Sequence, residues 1–285
     1  MGEPLHEPVM VAEVTELLGD RRIVLDLTVG AGGHAEALLA AGVGRVIGID
    51  RDPEALRLAS ARLARFGARF AAVRARFSRP PVQGPVDGVL YDLGLSSMQL
   101  DRPERGFSYR LAGPLDMRMG PDGPSAMELV NEAPEAELAR IIAGYGEEPR
   151  ARRVAAAIVR ARGRAPIRTT EELARIVAGA LGRRRGGPHP ARRTFQALRI
   201  AVNEELDELA ASLPRAAALL PPGGRLVVIA YHSLEDRIVK RFLLGEPSLR
   251  VLTRGPRRPS AAERERNPRA RSAKLRAAEK LAGVA

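Results

Sequence analysis

The stretch that decides the fold is residues 26–34, which read DLTVGAGGH. It starts at the end of an apolar run, residues 22–28 (RIVLDLT), which we predict to be a β-strand, and leads into a helix through residue 41. Asp50 closes the next apolar run, 20 residues after Gly30. Glycines after a first strand let the backbone approach a ligand closely, and an acid ending the second strand can bind ribose hydroxyls. The segment therefore predicts a nucleoside cofactor at one sheet edge.

Strand and helix patterns alternate on both sides of this segment. The predicted strands are residues 22–28, 45–50, 69–73, 86–92 and 225–231, followed by two short candidates at residues 249–253 and 273–277. The predicted helices beside them are residues 8–18, a helix opened by Asp52-Pro53, and residues 233–244. Such alternation favours an α/β fold with a parallel sheet and right-handed crossovers.

The alternation stops between the fourth and fifth strands. Residues 93–124 have no clear period, and the segments after them are helical, at residues 135–143, 150–162 and 171–181. Ser125 with Glu128, and Thr169 with Glu172, have the spacing of capping boxes.

This break divides the chain into two predicted domains. We predict a helical domain at residues 106–189, inserted into a discontinuous core made of residues 1–105 and 190–285. Residues 183–190 (RRRGGPHP) are predicted to be the linker back to the core, and residues 191–213 one long helix.

The composition excludes several classes of protein. The 285 residues are 45% hydrophobic, enough for a sizeable core, and no run of about 18 apolar residues predicts a membrane span. The start of the chain lacks the basic and apolar parts of a signal peptide. Cysteine is absent, which excludes disulfides, Cys-ligated zinc and a thiolate nucleophile, and no metal is predicted. A cytoplasmic protein is the simplest interpretation.

The charge is positive and unevenly placed. Lys and Arg number 46 against 34 Asp and Glu, a net charge of +12, and the last fifty residues carry 14 basic and 5 acidic residues. Nearly all the basic residues are arginine, whose planar guanidinium binds phosphate bidentately. The charge predicts a nucleic-acid partner; the alternative is a solvated surface with a flexible tail.

Acidic residues help to choose between cofactors. Asp26 precedes the glycine loop and Asp92 ends the fourth strand, so both should lie at the carboxyl edge where ligands bind. Carboxylates there suit the sulfonium and ammonium of S-adenosylmethionine and oppose a pyrophosphate. Gly30, Gly32 and Ala35 also fit a loose dinucleotide pattern, so an NAD-dependent oxidoreductase stays an alternative.

A resemblance to one family covers nearly the whole chain. The matching segments, in order, are residues 6–13 (HEPVMVAE), 26–34 (DLTVGAGGH), 48–53 (GIDRDP), 91–97 (YDLGLSS), 105–108 (RGFS), 113–119 (GPLDMRM), 145–147 (YGE), 189–199 (HPARRTFQALR), 231–241 (YHSLEDRIVKR) and 267–272 (NPRARS). With these segments the chain resembles the ribosomal RNA small subunit methyltransferase H (MraW) family. That family methylates the N4 amine of a cytidine in the decoding region of bacterial 16S ribosomal RNA.

The resemblance implies a fold and a set of cofactor contacts. The fold is a Rossmann-like S-adenosylmethionine-dependent methyltransferase sheet with an inserted all-helical domain. The residues implied to bind S-adenosyl-L-methionine are Gly32, Gly33 and His34 along its amino-acid and ribose side, Asp50 on the ribose hydroxyls, Phe77 beside the adenine, and Asp92 and Gln99 completing the pocket.

Two residues are the candidates for catalysis. Many amino-methyltransferases carry Asp/Asn-Pro-Pro-aromatic after the fourth strand, but this chain has Asp92-Leu93-Gly94-Leu95 there. We therefore expect Asp92 to accept a hydrogen bond from the cytosine amine or to face the sulfonium. His232, after the fifth strand, is the second candidate; its alternative role is a helix cap.

The implied partner is small-subunit ribosomal RNA within the assembled subunit, with no membrane and with a homodimer left open. Two groups of arginines are expected to contact RNA phosphates: Arg150, Arg152, Arg153, Arg160 and Arg164 in the insert, and Arg254, Arg257, Arg258, Arg269 and Arg271 near the end of the chain. A non-enzymatic RNA-binding ribosome-assembly factor is a further alternative.

Overall fold

A computed structural model describes residues 8–182 and 187–282 of the protein. The strands are β1 Ile23–Asp26, β2 Arg45–Asp50, β3 Phe70–Arg74, β4 Gly88–Asp92, β5 Arg225–Ala230, β6 Leu249–Val251 and β7 Lys274–Lys280. The helices are α1 Val11–Leu18, α2 Gly33–Ala41, α3 Pro53–Leu63, α4 Ser97–Asp101, α5 Ala126–Glu132, α6 Glu135–Gly146, α7 Ala151–Arg162, α8 Thr170–Leu181, α9 Arg192–Asn203, α10 Glu205–Leu219, α11 Ser233–Gly245 and α12 Ala261–Arg266. None of these helices is long and apolar enough to cross a membrane.

The strands form one seven-stranded sheet in the order β3-β2-β1-β4-β5-β7-β6. The first five of these are parallel neighbours, and β7 runs antiparallel between β5 and β6. β4 and β5 are buried almost along their whole length, as expected for central strands covered on both faces. The crossovers reverse direction between β1 and β4, which opens a crevice at the carboxyl ends of these strands.

The sheet has a hydrophobic core on each face. On one face Val24, Leu90 and Val227 pack with residues of α1, α2 and α3. On the other, Leu25 and Val228 pack with residues of α10 and α11. The α/β fold predicted from the alternating pattern is confirmed.

The chain separates into two compact units. Within the described ranges, the first unit holds residues 8–94 and 206–282, and contains the sheet. The second holds residues 95–182 and 187–205 and is helical, with a core that includes Leu138, Val154 and Leu173. Both predicted capping boxes are present in it, at Ser125 and at Thr169.

The helical unit has wider limits than residues 106–189. Phe195, Leu198 and Val202 of α9 lie in the helical core, so this helix belongs to the insert and not to the sheet unit. The predicted linker lies partly outside the described residues, at 183–186.

One expectation, for residues 191–213, is wrong, and one alternative, for the described C-terminal residues, does not hold. The single helix predicted at residues 191–213 is two helices, α9 and α10, because Glu204 has a left-handed backbone (φ 54) that ends the first. That alternative was a flexible tail: β6 and β7 instead lie at the two short strand candidates, residues 249–253 and 273–277, and β7 pairs with β5 over six residues.

Candidate active site

Three carboxylates end three neighbouring strands. Asp26, Asp50 and Asp92 are the last residues of β1, β2 and β4. The register sets Asp26 opposite Gly48 of β2 and Leu90 of β4. Since parallel strands present their carboxyl ends at one edge, these three acids share the rim of the crevice.

The glycine loop reaches this rim through left-handed backbone at Gly30 (φ 51) and Gly32 (φ 83). A Cβ at Gly32 would lie 3.0 Å from Leu63 Cδ1, and one at Gly33 would lie 3.0 Å from Pro8 Cγ. The missing side chains of Gly32 and Gly33 are therefore required by packing. Of the residues that the structure describes, a Cβ at Gly30 would meet just the carbonyl oxygen of Thr28, at 3.9 Å, so in this part of the chain it is Gly30 that borders open space.

The start of α2 offers unused donors to the same space. Gly32 N–H is taken by the carbonyl of Val29 at 2.8 Å, which closes the turn. Among the described residues, the backbone N–H groups of Gly33 and His34 have no hydrogen-bond partner. The first N–H groups of a helix lack intrahelical acceptors and carry its positive dipole end. They therefore suit a carboxylate.

Asp50 holds the loop and keeps free acceptor capacity. Its Oδ2 accepts the Gly30 N–H at 3.0 Å, and its Oδ1 accepts the Asp52 N–H at 2.9 Å. Each carboxylate oxygen has a second lone pair, so both can accept a further hydroxyl. Burial raises the pKa of Asp50 to about 6, against the effect of these backbone hydrogen bonds.

Asp26 is the most buried acid of the rim, with 1% of its surface exposed. Its Oδ1 accepts the Thr28 N–H at 3.1 Å. Burial raises the pKa of Asp26 to about 7; the negative charges of Asp92 and Asp50 raise it further, while His34 and the Thr28 hydrogen bond oppose the shift. Asp26 is therefore partly protonated near neutral pH and would gain negative charge as the pH rises.

Asp92 is held on three sides. Tyr231 donates its hydroxyl to Asp92 Oδ1 at 2.7 Å, and His34 Nε2 lies 3.3 Å from Oδ2 at an ion-pair distance. The backbone N–H of Asp92 donates to Thr28 Oγ1 at 2.6 Å. About a quarter of the Asp92 side chain is exposed (24%), so the carboxylate is fixed in direction and still reachable.

The pKa values of His34 and Tyr231, the two side chains next to the Asp92 carboxylate, are both raised. Burial opposes protonation of His34, but its interactions with Asp92, together with the charge of Asp26, outweigh burial and raise the pKa of His34. Burial raises the pKa of Tyr231 well above its usual value, and the charge of Asp92 acts in the same direction. Tyr231 therefore stays a phenol and acts as the donor to Asp92.

His232 is the N-cap of α11. Its Nδ1 accepts the Glu235 N–H at 3.3 Å, and the Glu235 carboxylate accepts the N–H groups of Tyr231 and His232 at 2.7 and 3.2 Å. These bonds form a capping box. His232 therefore has the helix-cap role that was the alternative for this residue, while its role in catalysis stays a prediction.

Phe77 and Gln99, the remaining predicted contacts, have other partners in the structure. Phe77 follows β3 and packs edge-on against Tyr91, with ring centroids 5.9 Å apart. Gln99 belongs to the second unit, where its Oε1 accepts the Ser96 N–H at 3.0 Å and caps α4. Both residues have structural contacts, and their roles at the cofactor stay predictions.

Sequence reasoning missed three residues that organise this site: Thr28, Tyr231 and Glu235. Their signal was present, because Thr28 lies inside the glycine loop and Tyr231 directly follows the strand beside β4. The register pairs Asp92 with Ile229, which brings residue 231 to the same edge. What the sequence could not show is that Tyr231 turns its hydroxyl toward Asp92.

Gly94→Ala should test the packing beneath Tyr231. Gly94 has φ +99, and a Cβ there would lie 3.0 Å from Tyr231 Cδ2. We expect the variant to lower the free energy of unfolding by about 1–2 kcal/mol, measured by urea denaturation. Gly84→Ala is the matched control, since Gly84 has φ +95 and no atom within 4 Å of the added Cβ. Equal losses in the two variants would show that the Tyr231 contact has no effect.

Comparison with known proteins places these residues in a family. The sequence profile of the MraW methylase family matches residues 3–281. A ribosomal RNA small subunit methyltransferase H of Methylobacterium sp. is 52% identical over 306 residues, covering 96% of this chain and 90% of the relative. The protein of the same name from Azorhizobium caulinodans is 49% identical over 304 residues, covering 98% and 88%.

Solved structures are more distant. An rRNA methylase from Streptococcus thermophilus aligns over 95% of this chain and 94% of its own, with 14% identity and a TM-score of 0.45. An N-methyltransferase from Bradyrhizobium japonicum aligns with the same coverage, 9% identity and a TM-score of 0.45. The family assignment rests on the profile and on the curated relatives. By these sequence matches, the chain belongs to the MraW methylase family.

Proposed function

We propose that this methylase transfers a methyl group from S-adenosylmethionine to the N4 amine of a cytidine in 16S ribosomal RNA of the small subunit. The observation that carries the proposal is the rim of Asp26, Asp50 and Asp92 beside the unused N–H groups of α2. The names of the relatives, which specify small-subunit ribosomal RNA, support the substrate.

The rim fits S-adenosylmethionine part by part. The N–H groups of Gly33 and His34 would hold its carboxylate, and the free lone pairs of Asp50 would accept its ribose hydroxyls. Gly30 leaves room for the ligand to pass. The negative charge of the rim complements the ammonium and sulfonium groups. Phe77 and Gln99 are proposed to complete the adenine side and the outer wall of the pocket.

Asp92 is the residue proposed to act on the amine. When bound, S-adenosylmethionine would supply a methyl group on a positively charged sulfur, so that the new N–C bond forms as the S–C bond breaks and S-adenosylhomocysteine leaves. The nitrogen lone pair is delocalised into the pyrimidine ring, so Asp92 would accept an N–H hydrogen bond, favour localisation of the lone pair, and accept the proton that leaves. Positioned acid–base groups of this kind contribute on the order of 10²–10⁴-fold in rate.

The absence of cysteine restricts the product. Methylation of cytosine carbon 5 normally requires a thiolate that adds to the ring, and this chain has no cysteine. The exocyclic amine requires no covalent step, so positioning and removal of water suffice. His232 is proposed to support this geometry as the cap of α11, beside Tyr231.

Neither alternative is favoured. An NAD-dependent oxidoreductase would set a pyrophosphate against the three carboxylates of the rim, and the family is a methylase. A non-enzymatic assembly factor would not need Asp92 fixed by Tyr231 and Thr28. We further propose that the helical insert binds RNA, that the substrate is the assembled small subunit, and that the reaction takes place in the cytoplasm.

Methyl transfer tests the function itself. The protein is incubated with methyl-labelled S-adenosylmethionine and small ribosomal subunits that lack the modification, and the RNA is digested to nucleosides for mass spectrometry. The expected product is N4-methylcytidine. Label in 5-methylcytidine, in ribose, or in no nucleoside would contradict the proposal, and the same assay on free 16S ribosomal RNA tests the preference for the assembled subunit.

Affinity for S-adenosylmethionine should rise with pH. Asp50 and Asp26 have pKa values of about 6 and about 7 without ligand, and the raised pKa of His34 adds a positive charge at low pH. A cationic ligand favours ionised carboxylates and neutral histidine, so binding releases protons. We expect Kd to fall by about tenfold between pH 5.5 and pH 8, with proton release seen by calorimetry in two buffers. Asp26→Asn should weaken the pH dependence, and proton uptake on binding would contradict this electrostatic account.

A further inference from the structure

The arginines of the helical unit divide by what they touch. Some hold the fold: Arg162 Nη1 donates to the carbonyls of Val130 and Ala133, each at 2.8 Å. Others lie beside an acid on the surface, such as Arg140 at 3.9 Å from Glu137 and Arg175 at 3.3 Å from Glu171. A third group is exposed and has no side-chain partner within the described part of this unit: Arg152, Arg153, Arg160, Arg164, Arg168 and Arg192.

Five of these six arginines lie on α7 or in the connection that follows it. The buried stripe of α7 is Ala151, Val154, Ala155 and Ile158. At about 3.6 residues per turn, Arg153 and Arg160 lie about half a turn from the middle of this stripe, so they occupy the opposite face, two turns and about 10 Å apart. Arg164 follows after Gly163, whose backbone stays right-handed (φ −66, ψ −14), so the row of charge extends past the helix end.

The charge on this face is not compensated from within the helix. The sequence of α7 is ARRVAAAIVRAR, with four arginines and no acid, whereas α6 and α8 carry acids one turn from their exposed arginines. An acid four residues from each arginine would stabilise such a helix by about 0.2–0.5 kcal/mol per pair. The all-basic face of α7 lacks this stabilisation, which the ion pairs of α6 and α8 provide. A surface of this kind is completed by an anionic partner.

We propose that the exposed face of α7, defined by Arg152, Arg153, Arg160 and Arg164, docks the phosphodiester backbone of the RNA substrate. The inference rests on the proposed function and names the surface that would carry the RNA. Arginine suits this partner because its planar guanidinium donates two parallel hydrogen bonds to a phosphate. Contacts of this type fix the position of a nucleic acid without reading its sequence.

The test compares two pairs of substitutions that remove the same charge. Arg153→Gln with Arg160→Gln neutralises the proposed face. Arg140→Gln with Arg175→Gln neutralises two other arginines of the same unit. Their side chains are also exposed (71% and 69%), but each has an acidic neighbour. Glutamine keeps a helix propensity close to that of arginine, so both variants should fold. Binding to fluorescein-labelled 16S ribosomal RNA is measured by anisotropy from about 50 to about 200 mM KCl.

We expect the α7 pair to weaken RNA binding about tenfold at about 100 mM KCl and to reduce the salt slope by about 1.4–1.8, the value for two lost phosphate contacts. The control pair should change affinity by less than about twofold. The S-adenosylmethionine Kd should not change in either variant. Equal effects of the two pairs, or no effect of the α7 pair, would overturn the inference.

Two further outcomes separate the possible failures. If the wild-type protein forms N4-methylcytidine but both pairs bind RNA like wild type, the docking face is wrong and the proposed function stands. If the α7 pair instead lowers binding to vesicles of anionic phospholipid and leaves RNA binding intact, the face serves a lipid surface and the inference is wrong. If the wild type forms no methylated cytidine, the proposed function fails first.

Discussion

Asp92→Ala should lower the single-turnover rate of methyl transfer by about 100-fold. The substitution removes the acceptor for the cytosine amine and leaves the Tyr231 hydroxyl and His34 Nε2 without their shared partner. The measurement is transfer of labelled methyl to small subunits at saturating S-adenosylmethionine, so that weaker cofactor binding does not enter the rate.

Two further variants separate chemistry from fold. Tyr231→Phe keeps the Asp92 carboxylate but removes the hydrogen bond that orients it, and we expect a smaller loss of about tenfold. Asp20→Ala removes an exposed acid in the same unit (68% exposed) and should leave the rate unchanged. If Asp92→Ala is folded by circular dichroism and transfers methyl at the wild-type rate, Asp92 takes no part in the chemistry.

Asp50→Ala should weaken S-adenosylmethionine binding by about 100-fold. Hydrogen bonds to charged groups contribute about 1.5–3 kcal/mol each, and the variant would lose those to the ribose hydroxyls. It would also release the Gly30 N–H, which Asp50 Oδ2 accepts at 3.0 Å, and so loosen the loop. Isothermal titration calorimetry of the purified wild type and of the purified Asp50→Ala variant gives the two Kd values for S-adenosylmethionine directly.

Asp50→Asn is the matched variant for this prediction. The amide oxygen can still accept from Gly30, so the loop keeps its anchor while one acceptor for the ribose is lost. We expect a loss of about tenfold, between wild type and alanine. A wild-type Kd in Asp50→Ala would show that the cofactor lies elsewhere on the rim.

Periodicity and the glycine loop were enough to predict the sheet. Residues 45–50 form β2 as expected, and Asp52-Pro53 starts α3 through a cap in which Asp52 Oδ1 accepts the Glu54 N–H at 3.0 Å. These are local signals, because apolar runs and caps depend on residues within one turn or one strand. Asp50 and Asp92 were identified for the same reason, since each ends a predicted strand, and Asp26 was identified because it precedes the glycine loop.

The features that were not predicted from the sequence depend on contacts between segments that lie far apart along the chain. The helix break at Glu204 involves neither glycine nor proline, so the sequence gives no local signal for it. At this break Asn203 Nδ2 donates hydrogen bonds to the carbonyls of Met117 and Arg199. The assignment of α9 to the insert follows from where Phe195 and Leu198 pack. The donation of Tyr231 to Asp92 spans 139 residues, and no local pattern encodes it.

The glycines of the loop at residues 26–34 also show that local sequence does not predict contacts with distant segments. The family resemblance implies that Gly32 and Gly33 contact the ligand, yet the space beside each is filled by the protein's own Leu63 and Pro8. Their backbone geometry still shapes the site, since the turn at Gly32 leaves the N–H groups of Gly33 and His34 unused. The loop lies between β1 and α2 as expected, and packing decides which of its glycines has space beside it.

A crystal structure of the protein soaked with S-adenosylmethionine tests the central claim most directly. The account predicts ribose hydroxyls within hydrogen-bonding distance of Asp50, the carboxylate on the N–H groups of Gly33 and His34, and the sulfonium methyl facing Asp92. An empty rim at saturating ligand, or S-adenosylmethionine bound away from these three acids, would contradict it.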